Sequence, residues 1–315
     1  MDPLYVLIEL GAGGLFVAAA WTALRHGRLP FLVLISAAAF GLLLEEGDQL
    51  IFETYHYSPD WIVAIDRAPV AIGLIWALIL VGAMRLTDAL GVRRPFAPFV
   101  DSILAISLDL AFDAVAIRLG LWTWREIGLT DAWFGVPAGN FYAWLFVVLG
   151  FSVLSRWLAV AARTRPSLEW LQLGVPIPAF AILLTSLIPF TILKPFVDPS
   201  PGGGMVMFLL TLAIFVATAM YGVWRGDETV RAYGRRAIAE VRFALAVRLQ
   251  IHGFFLVALL ALGLAAQHPV LLAVSLALLV AELPLAWLVT ARRPRSGTVV
   301  AGDPAVARQR DAATG

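Results

Sequence analysis

The sequence predicts an all-α, polytopic transmembrane helical bundle. Hydrophobic residues make up 61% of the 315-residue chain and charged residues only 14%, and the mean hydropathy is +0.86. This composition is too apolar for an ordinary water-soluble domain of the same length. In addition, apolar windows long enough to cross a hydrocarbon core of roughly 30 Å recur throughout residues 1–291. The chain is therefore interpreted as an integral membrane protein.

Nine apolar windows are predicted to be membrane spans, since each needs about 20 mainly apolar residues. They are 4–24, 31–53, 62–86, 97–120, 137–160, 171–194, 204–224, 246–266 and 270–291. The sixth contains Pro176, Pro178 and Pro189, which a span tolerates when neighbouring helices satisfy the freed backbone groups. Residues 292–315 are polar and lack apolar periodicity, which predicts a disordered tail after one transmembrane domain, 1–291.

The positions of the basic residues predict the orientation of the bundle. If the N-terminus is outside, the predicted cytoplasmic segments hold 19 of the 23 Lys and Arg residues, leaving Arg67, Arg118, Arg125 and Lys194 elsewhere. Because basic residues favour cytoplasmic loops, we expect the N-terminus outside and the C-terminal tail in the cytoplasm. The net charge of +1, spread over such loops, gives no indication of nucleic-acid binding.

The numbers and positions of cysteine and histidine exclude several kinds of reactive site. The chain has no cysteine, which excludes disulfides, thiolate nucleophiles and cysteine-ligated iron–sulfur clusters. The four histidines, His26, His56, His252 and His268, lack the close helical spacing of a zinc or di-iron site. We therefore expect neither a metal site nor a redox cofactor.

Carboxylates inside the predicted spans are the candidate catalytic groups. A charged side chain there costs roughly 2.5–3.5 kcal/mol on insertion scales unless it faces protein or a cavity. Asp109 and Asp113 are four residues apart and share a helical face, although one acid would suffice to bond a neighbouring helix. Glu45 and Asp48 give span two an acidic face, with Glu46 beside it. If the two faces meet in a low dielectric, at least one carboxyl keeps its proton near neutral pH.

Aromatic residues cluster downstream of the two aspartates. Trp122, Trp124 and Trp144 surround the segment GVPAGN, whose glycine and proline residues predict a shaped turn. Tryptophan is also common at membrane interfaces, so anchoring is the alternative to substrate binding. Asn140 opens the next span, where it either caps that helix or belongs to the site.

These motifs resemble the integral-membrane carotenoid biosynthesis proteins. That family includes the carotenoid 1,2-hydratases of the bisanhydrobacterioruberin hydratase type. The run DLAFD, then LWTW, then FGVPAGNFYAW carries the resemblance, at Asp109, Asp113, Trp122, Trp124, Gly135, Pro137, Asn140, Phe141 and Trp144. The earlier EEGD and YHY segments, with Pro69 and Trp76 after them, are similar more loosely.

The resemblance implies addition of water to a terminal isoprenoid double bond of a carotenoid through a tertiary carbocation. Such a reaction needs an acid, a carboxylate that orients water and aromatic faces that stabilise the cation, and it needs no metal or cofactor. The predicted catalytic residues are Asp109, Asp113, Glu45, Glu46 and Asp48. The predicted substrate-binding residues are Tyr55, Tyr57, Trp76, Trp122, Trp124, Pro137, Asn140 and Trp144. Asp113 lies one turn nearer the LWTW motif and is predicted to be the less dispensable aspartate.

The resemblance also implies a lipid-soluble polyene as substrate, membrane lipids as surroundings, other carotenoid pathway enzymes as partners and the cytoplasmic membrane of a prokaryote as location. Three alternatives remain open at this stage. The first is an end-group cyclase, in which a neighbouring double bond captures the same cation. The others are a proton-coupled transporter that uses the buried acids and a non-catalytic partner of a pathway enzyme.

The predicted orientation can be tested with reporter tags. Tags in the 225–245 loop and after Gly315 should both report the cytoplasm, and a tag after Gly128 should report the outside, because the basic segments lie on the first side. Opposite reports from the two cytoplasmic positions would contradict the nine-span topology.

Overall fold

The computed structural model describes residues 2–231 and 237–290. Within these residues, nine helices of 20 to 24 residues form the bundle, which confirms the predicted all-α fold. They are α1 (Pro3–His26), α2 (Arg28–Gly47), α3 (Val70–Leu90), α4 (Ala97–Ala116), α5 (Ala138–Ala161), α6 (Pro176–Val197), α7 (Met205–Trp224), α8 (Ile238–Ala261) and α9 (Pro269–Thr290). The predicted tail, 292–315, lies outside the described residues.

Eight of these helices are long and apolar enough to cross a membrane, judged by length and composition. The ninth is α4, which carries Asp101, Asp109 and Asp113. It lies at the centre of the bundle, in contact with α3, α5, α7, α8 and α9, and 15 of its 20 residues are buried. The carboxylates of α4 are therefore surrounded by protein rather than by lipid.

Four short strands form two ribbons in the connections between helices. Strand β1 (Tyr55–Tyr57) pairs antiparallel with β4 (Trp122–Trp124), and β2 (Ala64–Ile65) pairs antiparallel with β3 (Ala68–Pro69). The third span was predicted to begin at residue 62, but α3 begins at Val70, directly after Pro69. A proline disfavours helical conformation in the residue before it, so Ala68 is extended and the helix begins only after Pro69.

Several other helices also differ from their predicted bounds, and α8 covers Ile238–Ala261 where the span was predicted at 246–266. Helix α2 ends at Gly47 and continues as a π-helix over Asp48–Phe52. Helix α6 begins at Pro176, a favourable first position for proline because a backbone N–H there would have no partner within the helix. A 3-10 segment, Pro166–Gly174, precedes it. The sixth span was predicted to start at 171, within that 3-10 segment.

Helices α2 and α3 approach each other closely at two glycines. A Cβ on Gly41 would lie 2.5 Å from Trp76 Cβ, and a Cβ on Gly73 would lie 2.6 Å from Leu42 Cγ. Small residues at a crossing let the two backbones come together. This contact brings Glu45, one turn beyond Gly41, within reach of the Trp76 indole.

Successive connections between helices lie at alternating ends of the bundle. At the end that carries both ribbons, called the strand end, Ala138 N donates to Gly202 O at 2.9 Å and Tyr5 OH donates to Gly120 O at 2.9 Å. At the opposite end, called the basic end, Arg28 forms an ion pair with Glu169 at 2.6 Å. The alternation agrees with nine consecutive crossings.

A buried ion pair fastens α8 and α9 to α4. Arg248 Nη2 lies 2.6 Å from Glu282 Oε1, and their side chains are 5% and 4% exposed. The same guanidinium donates to Leu104 O at 2.6 Å and to Ser107 Oγ at 2.9 Å. Since an uncompensated buried charge is very costly, each member of this pair depends on the other.

Removing one member should destabilise the bundle more than removing both. We expect Arg248→Leu to lower the free energy of unfolding by about 3–5 kcal/mol, and the double variant Arg248→Leu/Glu282→Leu to recover most of that loss. The matched control is Arg28→Leu in the exposed pair with Glu169, with a loss below about 1 kcal/mol. Denaturant unfolding in one detergent measures all three. Equal losses for the single and double variants would contradict this reading of the pair.

Candidate functional site

One amide bridges the two aspartates of α4. Asp109 and Asp113 are 1% and 2% exposed, and Asn140 lies in the first turn of α5. Asn140 Nδ2 donates to Asp109 Oδ2 at 2.9 Å and to Asp113 Oδ2 at 2.8 Å, using both of its hydrogens. Trp122 Nε1 donates to Asp113 Oδ1 at 2.9 Å. Within the described residues, Asp109 Oδ1 is the one oxygen of the pair without a hydrogen-bond partner.

The two carboxyls have no neighbouring cation. Across residues 2–231 and 237–290, no Lys, Arg or His nitrogen lies within 4 Å of either one. Two adjacent negative charges in a protein interior repel each other and lose their hydration. The arrangement therefore favours a pair that holds one proton, as carboxyl pairs in apolar sites do. Because Asp113 already accepts two hydrogen bonds and Asp109 Oδ1 accepts none, the proton fits best on Asp109 Oδ1.

Glu45 is held in a fixed orientation by three neutral donors. Trp76 Nε1 donates to Glu45 Oε1 at 2.6 Å, and the hydroxyls of Tyr55 and Tyr57 both donate to Glu45 Oε2. Hydrogen bonds to both oxygens fix the position of the carboxyl group beside the cavity. Glu45 is thus suited to orient a water molecule or to face a cation, whereas the aspartate pair is suited to supply a proton.

The β1–β4 ribbon brings four aromatic side chains to this site. Its register places Tyr55 opposite Trp124 and Tyr57 opposite Trp122. Alternate residues of a strand point to one face, so all four side chains face the bundle while the middle residue of each strand is exposed. The Tyr57 and Trp122 rings meet edge to face with centroids 6.1 Å apart. The spacing of the YHY and WTW motifs is explained by this ribbon.

A cavity of about 1080 Å³ opens beside the carboxyls at the strand end. Glu45, Asp109 and Asp113 line it, together with mainly apolar residues of α1 to α6 and α8. In its wall the Trp76 and Trp144 rings pack with centroids 4.2 Å apart. The volume lies at the upper end of small-molecule sites, and few polar groups in a mainly apolar lining are typical of such sites.

The comparison with known protein families agrees with these features. The sequence profile of a family described as carotenoid biosynthesis protein matches residues 3–199, more than half of the chain. The chain belongs to this family. No curated protein and no solved structure is significantly similar to it.

As a member of the carotenoid biosynthesis family, this membrane protein has a role in carotenoid biosynthesis. The matched range contains α1 to α6 and both ribbons, and therefore every residue that the sequence predicted for the site. Helices α7, α8 and α9 lie beyond the match.

The structure brings together nearly all of the predicted site residues of this carotenoid biosynthesis protein. Every one except Glu46 lines the cavity. Glu46 instead accepts a hydrogen bond from Arg67 N at 3.4 Å, outside the cavity lining. Asp48 lines the cavity, but its carboxylate accepts from Thr54 Oγ1 at 2.7 Å and from Thr54 N at 3.2 Å, which fixes the turn into β1.

The alternative of Asn140 as a helix cap is not observed. The N-cap of α5 is Pro137, without a side-chain hydrogen bond, and the Asn140 amide donates to the aspartates instead. Asn140 therefore belongs to the carboxyl site.

Sequence reasoning missed Arg118. Its guanidinium donates to Ala114 O at 2.8 Å, Leu129 O at 2.8 Å and Phe134 O at 2.7 Å, tying the loop before α5 to the end of α4. In that loop Gly135 has φ +87°, and a Cβ there would lie 3.0 Å from Leu129 Cα. The available signal was that Arg118 is one of the few basic residues outside the predicted cytoplasmic segments.

Trp122 can be tested for stabilisation of a cation by its ring. Trp122→Phe and Trp122→Leu both lose the indole N–H bond to Asp113, so their difference reports the π face alone. A desolvated cation–π contact is worth about 2 kcal/mol, so we expect the Phe variant to form at least about tenfold more product than the Leu variant in a carotenoid-producing host. The control is Trp157, which is 66% exposed and outside the cavity lining, where both replacements should retain activity. Equal losses for Trp122→Phe and Trp122→Leu would mean that Trp122 only packs or anchors.

Proposed function

We propose that the protein is an enzyme, a hydro-lyase that adds water to a terminal isoprenoid double bond of a carotenoid in the cytoplasmic membrane of a prokaryote. The observation that carries this proposal is the buried aspartate pair, bridged by Asn140 and without a cation partner in the described part of the chain, at a mainly apolar cavity walled by aromatic rings. A buried carboxyl that keeps its proton can protonate an alkene in surroundings where a polyene dissolves.

The first step is proton transfer from Asp109. Its Oδ1 is the free oxygen of the pair, while Asp113 is held by Asn140 and Trp122. The proton adds to the less substituted carbon of the terminal double bond and forms a C–H bond. The adjacent carbon becomes a tertiary carbocation, and the aspartate becomes a carboxylate. The sequence favoured Asp113 as the less dispensable acid; in this mechanism both are required, Asp109 as donor and Asp113 as the charged partner that holds the bridge.

The second step is capture of the cation by water. The aromatic faces of Trp122, Trp76 and Trp144 stabilise the positive charge, and the Glu45 carboxylate orients the water. The water oxygen forms the C–O bond, and the proton it releases returns to the aspartate pair. The product is a tertiary alcohol, one water heavier than the substrate, and no oxidant or reductant takes part.

An end-group cyclase would use the same acid and the same aromatic wall. Hydration is favoured by the polar groups gathered beside the aspartates, namely the Glu45 carboxylate and the hydroxyls of Tyr55 and Tyr57, since these can hold a water molecule. A cyclase has to exclude water from the cation so that the neighbouring double bond captures it.

Expression in a host that accumulates an acyclic carotenoid tests the proposal. Chromatography with mass spectrometry should detect a gain of one water at each modified end. An unchanged mass with shifted absorption would mean cyclisation and would contradict hydration. Unchanged carotenoids would point to a transporter or a non-catalytic partner of another pathway enzyme.

Neutralising the aspartates should abolish product formation without affecting membrane insertion. Asp109→Asn keeps the size and the acceptor for Asn140 but removes the titratable proton, and Asp113→Asn removes the negative charge and one of the two acceptor oxygens, so we expect each to lose about 100-fold or more, within the 10²–10⁴ range of positioned acids. Asp60→Asn, in an exposed loop, is the control with normal activity. Near-normal turnover by both site variants, at equal accumulation of protein, would place the proton donor elsewhere.

A further inference from the structure

Part of the cavity lining, called the α1–α8 arm, is formed by α1 and α8 and includes residues that are exposed on the outer surface of the bundle. On α1 the lining residues Leu7, Gly11 and Leu15 follow one another at helical-turn spacing, and Leu7 is 62% exposed. On α8 the lining residues include Gln250, which is exposed, and Phe254, which is half-buried. Residues that line the cavity and are also exposed mark an opening on the side that faces lipid.

The arm is mainly apolar and belongs to the same cavity as the carboxyl site. On its inner side it is lined by Ile75 and Ile79 of α3 and by Phe255 of α8. The Phe255 ring stacks on Phe112 with centroids 5.1 Å apart, and Phe112 packs edge to face against Trp144 at 5.9 Å. A path of aromatic surface therefore runs from the α1–α8 opening to the wall beside the aspartates.

Gly11 leaves room in this arm. A Cβ built on Gly11 meets no heavy atom within 4 Å, although the residue lines the cavity. Helix α1 is also the least buried of the eight apolar spans, with 11% of its most apolar window buried. From Leu7 to Leu15 the helix rises about 12 Å, so the open face extends well into the hydrocarbon region.

We propose that the seam between α1 and α8 is the channel through which the polyene chain enters from the bilayer and in which it stays bound during the reaction. This inference rests on the proposed function and extends it to the substrate chain: the end group lies at Asp109, and the conjugated chain passes Gly11 and Phe255 and continues into lipid. We take a carotenoid as the occupant because the family is described as carotenoid biosynthesis protein. The mainly apolar lining fits the hydrocarbon chain of a carotenoid. A site open to lipid admits a long acyclic polyene without enclosing all of it.

The α6 side of the cavity, called the opposite arm, combines apolar residues such as Leu187 with a polar mouth. Thr191 and Lys194 of α6 line it, together with Ser200 of the following loop. These polar side chains lie at the strand end, where the charged residues Arg125 and Glu126 also line the cavity. The polar mouth suits entry of water rather than of a hydrocarbon chain, which is a further reason to assign the polyene to the α1–α8 seam.

The channel can be blocked by one substitution with a matched control on the same helix. Gly11→Phe adds a side chain in the arm, and Gly14→Phe adds the same side chain at an exposed position that has no neighbour within 4 Å and does not line the cavity. Both variants replace a helical glycine, so their effects on helix propensity cancel. Neither position belongs to the proposed catalytic machinery. A third variant, Leu187→Phe on α6, obstructs the opposite arm.

Binding of the acyclic C40 carotene lycopene to purified protein in lipid nanodiscs gives a readout independent of catalysis. Quenching of tryptophan fluorescence reports the bound polyene, and none of the variants changes the number of tryptophans. We expect Gly11→Phe to weaken binding at least tenfold and to lower product formation to match, while Gly14→Phe and Leu187→Phe bind as the unaltered protein does.

Three results would overturn the channel. They are wild-type affinity in Gly11→Phe, loss of affinity in Leu187→Phe but not in Gly11→Phe, and absence of saturable lycopene binding by the unaltered protein. If the unaltered protein binds lycopene but does not hydrate it, the proposed function is wrong. The difference in lycopene affinity between Gly11→Phe and Gly14→Phe then still shows whether the polyene binds in the α1–α8 seam.

Discussion

The site depends on one interaction, the amide of Asn140 bridging two buried aspartates that, among the residues the structure describes, have no cation beside them. Such a pair is tolerable only if protein surrounds it and if its negative charge is reduced. The first condition is met by α4, which lies at the centre of the bundle. The second favours retention of one proton by the pair, and that proton is what an acid-catalysed addition requires.

The surrounding structure holds this bridge in place from both sides. The start of α5, which carries Asn140, is positioned by the hydrogen bond from Ala138 N to Gly202 O and by the loop that Arg118 ties to α4. The β1–β4 ribbon supplies the donor from Trp122 to Asp113. The same ribbon supplies the two tyrosine hydroxyls that bind Glu45.

The carboxyl of Glu45 and the carboxyls of the aspartate pair are therefore suited to different roles. Glu45 accepts hydrogen bonds on both of its oxygens, whereas within the described residues Asp109 Oδ1 accepts none. Placing acid and carboxylate in different hydrogen-bonding environments is a general way to give chemically similar groups opposite roles.

Much of this was readable from the sequence because it depends on local spacing. Apolar windows predicted the spans, and the four-residue spacing of Asp109 and Asp113 predicted their common face. Pairing of β1 with β4 was not predictable, because each strand has only three residues and the partners lie 65 to 69 positions apart, so nothing in local periodicity indicates it. Glu46 could not be separated from Glu45 by sequence, because contacts with other segments decide which of two adjacent acids turns to the cavity. That Phe255 of α8 lines the cavity could not be predicted either, because it depends on how α8 packs against helices distant in the sequence.

The central claim is that the aspartate pair holds a proton at neutral pH, and infrared spectroscopy of the purified protein measures this directly. A protonated carboxyl in apolar surroundings gives a carbonyl stretching band that is distinct from carboxylate bands and shifts in heavy water. The account predicts one such band in the unaltered protein at neutral pH, and its loss in the double variant Asp109→Asn/Asp113→Asn. Absence of the band from the unaltered protein, or its persistence in the double variant, would contradict the account.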